Sequence, residues 1–138
     1  MKTVAENIKP VASLGPATLT ANTDGSVVDT FGFDNLQAVI SAGTIDTHDT
    51  DETYAVKLQE GAADDGSDMA DVTGASVTVT ESNQIKTIGV VGLGTGIRKR
   101  YVRLVLTVGG TTPSIDLAGS FNLGRGVENP VIVPDAKV

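Results

Sequence analysis

Lys99–Val108 reads KRYVRLVLTV. Val102, Leu104, Leu106 and Val108 recur at every second position, and Tyr101, Arg103, Val105 and Thr107 fill the places between. A period of two puts the first set on one side of an extended chain and the second on the other, which is the signature of a strand with one covered face. Gly109-Gly110 ends the stretch, and Ser114–Leu123 (SIDLAGSFNL) alternates again through Ile115, Leu117, Gly119 and Phe121. Upstream, Thr53–Gln59 carries Tyr54, Val56 and Leu58 on one side, and Ala75–Thr80 carries Val77 and Val79. Gln84–Val91 is a further strand, closed by Gly92-Leu93-Gly94-Thr95-Gly96, and Leu36–Ala42 (LQAVISA) is another. Ala17–Ala21 and Ser26–Phe31 flank the polar turn Asn22-Thr23-Asp24-Gly25, which predicts a hairpin. About eight or nine short strands separated by turn signals predict an all-β chain, a β-sandwich or a barrel.

Composition agrees with strands. The chain of 138 residues is 40% hydrophobic but 4% aromatic, with no Trp. Its core must therefore come from Val, Ile, Leu and Ala, and β-branched residues pack better on a pleated surface than in a helix. One core is all that this length supports. Three segments are expected: an N-terminal arm over 1–16, interrupted by Pro10 and Leu14-Gly15-Pro16; a sandwich over 17–124; and an extended tail over 125–138. The tail holds two prolines around the apolar Val131-Ile132-Val133. Proline cannot donate to a ladder, so this stretch reads as an extended tail with one apolar patch, either packed on its own domain or docked as an arm on a neighbouring subunit.

The formal net charge of −7 argues against a sequence-independent grip on nucleic acid, which needs cations to neutralise phosphates. With no cysteine there is no thiolate metal site and no thiol nucleophile. No apolar run approaches the ~20 residues of a membrane span, and Met1–Asn7 lacks the apolar core of a signal peptide, so neither a membrane nor export is expected.

Candidate chemistry is sparse. His48 is the single histidine and has no marked nucleophile to activate. Asp46/Asp49/Asp51/Glu52 and Asp64-Asp65-Gly66-Ser67-Asp68 are acidic clusters that do not follow the calcium-loop pattern, and both read as solvated loops. Gly92-x-Gly94-x-Gly96 precedes a strand and not a helix, so it is a turn and not a phosphate cradle. No catalytic residue, metal or cofactor is expected. Arg98, Lys99, Arg100 and Arg103 stand apart in an acidic chain, and together with Val131, Ile132 and Val133 they are the candidate contacts to a neighbouring subunit. Arg100 and Arg103 are expected on opposite faces of their strand, with charge that also guards an edge.

The run Lys99-Arg100-Tyr101-Val102-Arg103-Leu104, followed by Gly109-Gly110-Thr111 and Gly119-Ser120-Phe121-Asn122-Leu123, resembles a pattern of small tailed-bacteriophage head proteins. Tyr54–Glu60, the acidic loop after it and Asp71-Val72 share that resemblance, which covers about residues 50–125. It implies a capsid decoration (cement) protein: an all-β β-sandwich of jelly-roll type that oligomerises, sits on the outside of the particle and bridges major capsid subunits, with no active site. The expected partners are the major capsid protein and further copies of the chain, a trimer in preference to a dimer. The expected location is the virion, assembled in the host cytoplasm. A tail-tube or head–tail joining subunit would show a similar β core. A carbohydrate-binding module is a third reading, with only Tyr54 and Tyr101 available to stack on sugars. On the non-enzymatic reading, His48→Ala should leave oligomer size and particle binding unchanged, measured by light scattering and co-sedimentation. Loss of binding would give the histidine a role.

Overall fold

The alternating stretches become two packed antiparallel sheets. The computed structural model describes residues 4–47 and 50–124. After one helical turn, α1 (Val4–Asn7), come β1 (Ile8–Leu19), β2 (Thr23–Asp24), β3 (Val28–Asp29), β4 (Asn35–Ile45), β5 (Thr53–Gly61), β6 (Ala70–Val79), β7 (Ile85–Val91), β8 (Tyr101–Gly109) and β9 (Ile115–Gly124). The first sheet has the order β1-β9-β4-β7, and the second β2-β8-β5-β6 with β3 also on β8. Counting β2 and β3 as one broken strand, the chain visits the sheets in the order first, second, first, second, second, first, second, first. That alternation is the jelly roll.

The predicted inward faces are the core. Val102, Leu104 and Leu106 of β8 and Tyr54, Val56 and Leu58 of β5 are all buried, and they meet Leu36, Ala38, Ile40, Ile115, Leu117, Phe121 and Leu123 from the first sheet. Burial alternates from Asn35 to Ala42 along β4 and from Ile115 to Leu123 along β9, as period two requires. Tyr54 is 1% exposed, and its phenol remains satisfied at the end of the sandwich. It donates to the Asp46 carbonyl at 2.6 Å and accepts the Ser114 N–H at 2.9 Å.

Two local expectations are corrected. Residues 8–16 are not a free arm, because β1 pairs along β9 from Ile8↔Gly124 to Leu19↔Ile115. Register shifts at Ala12/Leu14 and Leu14/Ala17 let the Pro- and Gly-bearing segment follow its partner. The strand is also an edge of its sheet, where proline does no harm to a ladder. Nor do Ala17–Ala21 and Ser26–Phe31 form a hairpin. Thr23 lies opposite Leu106 and Val28 opposite Val102, so both flanks of Gly25 pair with β8. The tail expected over 125–138 lies outside the described residues.

Gly119 of β9 packs against Leu104 of β8 across the sandwich. A Cβ on Gly119 would stand 2.8 Å from Leu104 Cδ1 and 3.5 Å from the Leu14 side chain. Leu104→Ala alone should cost about 2–5 kcal/mol as a core truncation. Gly119→Ala alone should destabilise by overpacking, about 1–3 kcal/mol. In the Leu104→Ala background the added methyl enters vacated space, so the pair should be less harmful than the sum of its parts. Denaturant melts of the four proteins check this cycle, and strict additivity would contradict the contact.

Candidate interaction site at the capped end

Two connections cross over one end of the sandwich. Thr30–Asp34 passes from the second sheet to the first, and Gly92–Arg100 passes back. They are tied together where they meet. The Thr30 N–H and hydroxyl both donate to the Arg100 carbonyl, at 3.0 and 2.5 Å, and the Leu93 N–H donates to the Asp34 carbonyl at 3.1 Å. Leu93 is buried as a plug beneath them. Gly92, Gly94 and Gly96 have φ of 83°, 76° and 84°, so these glycines serve the winding of a loop that a side chain would strain.

This cap holds apolar side chains out in water. Phe31 and Ile97 are each 74% exposed. Arg100 lies over the Phe31 ring at 4.8 Å and the Tyr101 ring at 5.1 Å. Its guanidinium also makes a bidentate pair with Asp29, Nε to Oδ1 and Nη2 to Oδ2, both at 2.8 Å. The Arg100 hydrogen bonds hold the Asp29 carboxyl below its ordinary value, helped by the Phe31 N–H, and raise the arginine in turn. Stacked on two rings and clamped by a carboxylate, the arginine has few rotamers left. Phe31, Arg98 and Arg100 line one hollow of about 480 Å³, and Val91, Ile97 and Arg98 line another of about 370 Å³ beside it.

The sequence-predicted basic residues therefore divide. Arg98, Lys99 and Arg100 belong to the cap. Arg98 Nε is 3.7 Å from Glu60 Oε2, whose other contact is the Lys99 N–H at 3.1 Å. Arg103 sits apart, on the outer face of the second sheet, paired with Asp24 at 3.2 Å and with the Gln59 amide oxygen at 2.8 Å. Val131, Ile132 and Val133 lie outside the described residues, as does His48. The exposed Phe31, Ile97 and Val91 escaped sequence reading, because an apolar residue beside a strand looks like core until the path of the chain is known.

The acidic loops are engaged in hydrogen bonds, Asp65 and Asp68 within their own turn and Asp51 with the loop after β8. Asp68 accepts the Ala62 and Ala63 N–H groups, Asp65 accepts the Ser67 N–H, and Asp51 accepts the Thr111 N–H and hydroxyl. These bonds hold all three carboxyls below their ordinary values. Among the described residues no three acidic or histidine side chains converge as a metal site would require.

Neither a family model nor a curated relative matches the chain. Among solved structures, it is similar to a chain in the structure of infectious bursal disease virus, Gx strain. That likeness has a TM-score of 0.53 at 10% identity and covers 91% of this chain but 35% of the other. This chain thus matches about a third of that longer one, and what the two share is the fold.

The Asp29–Arg100 clamp should be insensitive to pH through the neutral range. Its contribution is fully present above the unfolded Asp value of 3.8 and is lost as pH falls through the lower folded value. An NMR titration should find Asp29 still ionised where exposed carboxylates are half protonated, and Arg100→Met should return it to ordinary behaviour.

Proposed function

We propose that this protein is a non-enzymatic structural subunit of a virus particle, a decoration protein that docks on the outside of a phage capsid by its capped end. The observation that carries the reading is the cap: two crossing loops fastened by four backbone groups, holding Phe31, Ile97 and a clamped Arg100 in solvent. Aromatic and arginine side chains that are already ordered lose little entropy on binding, and they dominate the energetics of most protein interfaces. The jelly roll, and its likeness over most of this chain to part of a virus structure, support a particle role. The sequence resemblance to phage head proteins supports the choice of capsid surface. A tail-tube or joining subunit would use the same core, but nothing in the cap favours it.

Phe31→Ala removes a side chain that the monomer leaves in water, so folding should be spared while capsid affinity falls. A tenfold loss or more is expected for a residue at the centre of such a contact, measured by co-sedimentation with purified capsids. Deletion of 127–138 is the companion arm, and it should weaken decoration and lower the heat resistance of decorated capsids. Undiminished capsid binding by Phe31→Ala would remove the cap from the interface.

A further inference from the structure

A sandwich has four edge strands, and three of them here are guarded. β1 carries Pro10 and Pro16 and two register shifts. β2 and β3 are two residues each. β6 loses register against β5 between Lys57 and Gln59, and Gly74 within it has φ 81°. Prolines, bulges and short lengths are the devices by which edges avoid pairing with other chains. β7 has none of them. It is seven residues long, free of proline, and pairs with β4 without a break from Asn35↔Val91 to Ser41↔Ile85. Among the described residues its other side is unpaired. Its outer face also exposes apolar surface, with Ile85 67% and Val91 80% exposed.

We propose that β7 is a self-pairing edge, and that two copies of this chain join there as an antiparallel two-fold pair, continuing the first sheet from one protomer into the next. The strand is complementary to itself in this arrangement. Centred on Ile88, it sets Ile85 of one protomer opposite the partner's Val91, twice over, and Thr87 opposite the partner's Gly89. The one charge on the strand, Lys86, meets the partner's Val90 and not a second lysine. Antiparallel pairing also brings the end that carries Arg98, which lines the hollow with Val91, toward the partner's exposed Glu81 just before β7. Two copies with a formal charge of −7 each repel over most of their surface, and this edge is where opposite charges and apolar side chains meet instead. A two-fold interface of this kind closes on itself and buries the edge completely. The geometry thus favours a dimer where the sequence reading favoured a trimer. The inference rests on the edge and not on the capsid reading, and it is tested on the isolated protein.

Sedimentation of the full chain at micromolar concentration should show a dimer. Ile85→Lys combined with Val91→Lys places like charges opposite each other at two points, and should weaken dimerisation by about tenfold or more. Ile85→Lys combined with Val91→Glu places opposite charges there, and should restore the dimer. Both pairs of substitutions sit on exposed positions, so circular dichroism should report an unchanged fold. With no native cysteine, Ile85→Cys with Val91→Cys should cross-link quantitatively to a covalent dimer on mild oxidation. A wild-type monomer, a dimer that ignores the lysine pair, or a cross-linked ladder in place of a dimer would each overturn the proposal. A monomer that still binds capsids would do so while leaving the capsid reading intact.

Discussion

The two sheets are joined through the hydroxyl of Ser13. It is 4% exposed, it accepts the Leu104 N–H of β8 at 3.0 Å, and it donates to the Ser26 carbonyl at 2.9 Å. The same junction holds two backbone bonds of 2.7 Å, Gly25 N–H to Leu104 and Ser26 N–H to Ser13. Leu104 lies at the centre of the core, opposite the gap between β2 and β3, where no strand supplies an acceptor for its amide. A buried amide without a partner costs about 1–3 kcal/mol. The register shift in β1 at this point turns Ser13 inward and supplies that acceptor from the other sheet. Gly25 completes the fit, since a Cβ there would stand 2.7 Å from the Leu104 carbonyl oxygen. The break in one strand and the bulge in another are thus two halves of a single device.

The rest of the architecture follows from a core with few aromatic rings. Aliphatic side chains fill the middle of the sandwich, and its two ends are closed by hydrogen-bonded plugs. Tyr54 closes one end through the Asp46 and Ser114 backbone. Leu93, under the crossing of the two loops, closes the other. Closing the second end from beneath is what frees Phe31 and Ile97 to project outward. The cap is therefore stiff for the same reason that it is sticky.

Strands with one covered face were plain in the sequence, because Val102 through Val108, Tyr54 through Leu58 and Ile115 through Leu123 each keep a period of two. β1 was hidden by Pro10, Gly15 and Pro16, which mark a breaker locally and an edge strand once β9 is beside them. The Asn22–Gly25 turn misled for a related reason. Its residues prefer a tight bend, but the bonds that decide their fate come from Leu104, Val105 and Leu106, roughly eighty positions away. The basic cluster was visible as composition. Its division was not, because Asp29, Glu60 and Asp24 reach their arginines only through the pairing of β3, β5 and β2 with or beside β8. Ile85 and Val91 alternate like any half-buried strand, and only strand order reveals that their side of the sheet is open.

The seam between β1 and β9 also governs how the molecule comes into being. β9 separates β1 from β4 in the first sheet, and Thr18 bonds to Asp116 across 98 positions of chain. During synthesis β1 emerges early, and within its sheet it has no strand to pair with until β9 follows. Until then Leu14 and the inner faces of β4 and β8 are uncovered, and loop closure over such a span makes the final step slow. The nascent chain spends that interval as a half-open book with its pages wet, vulnerable to clumping. Its acidity has a second use there, keeping incompletely folded copies apart until β9 is in place.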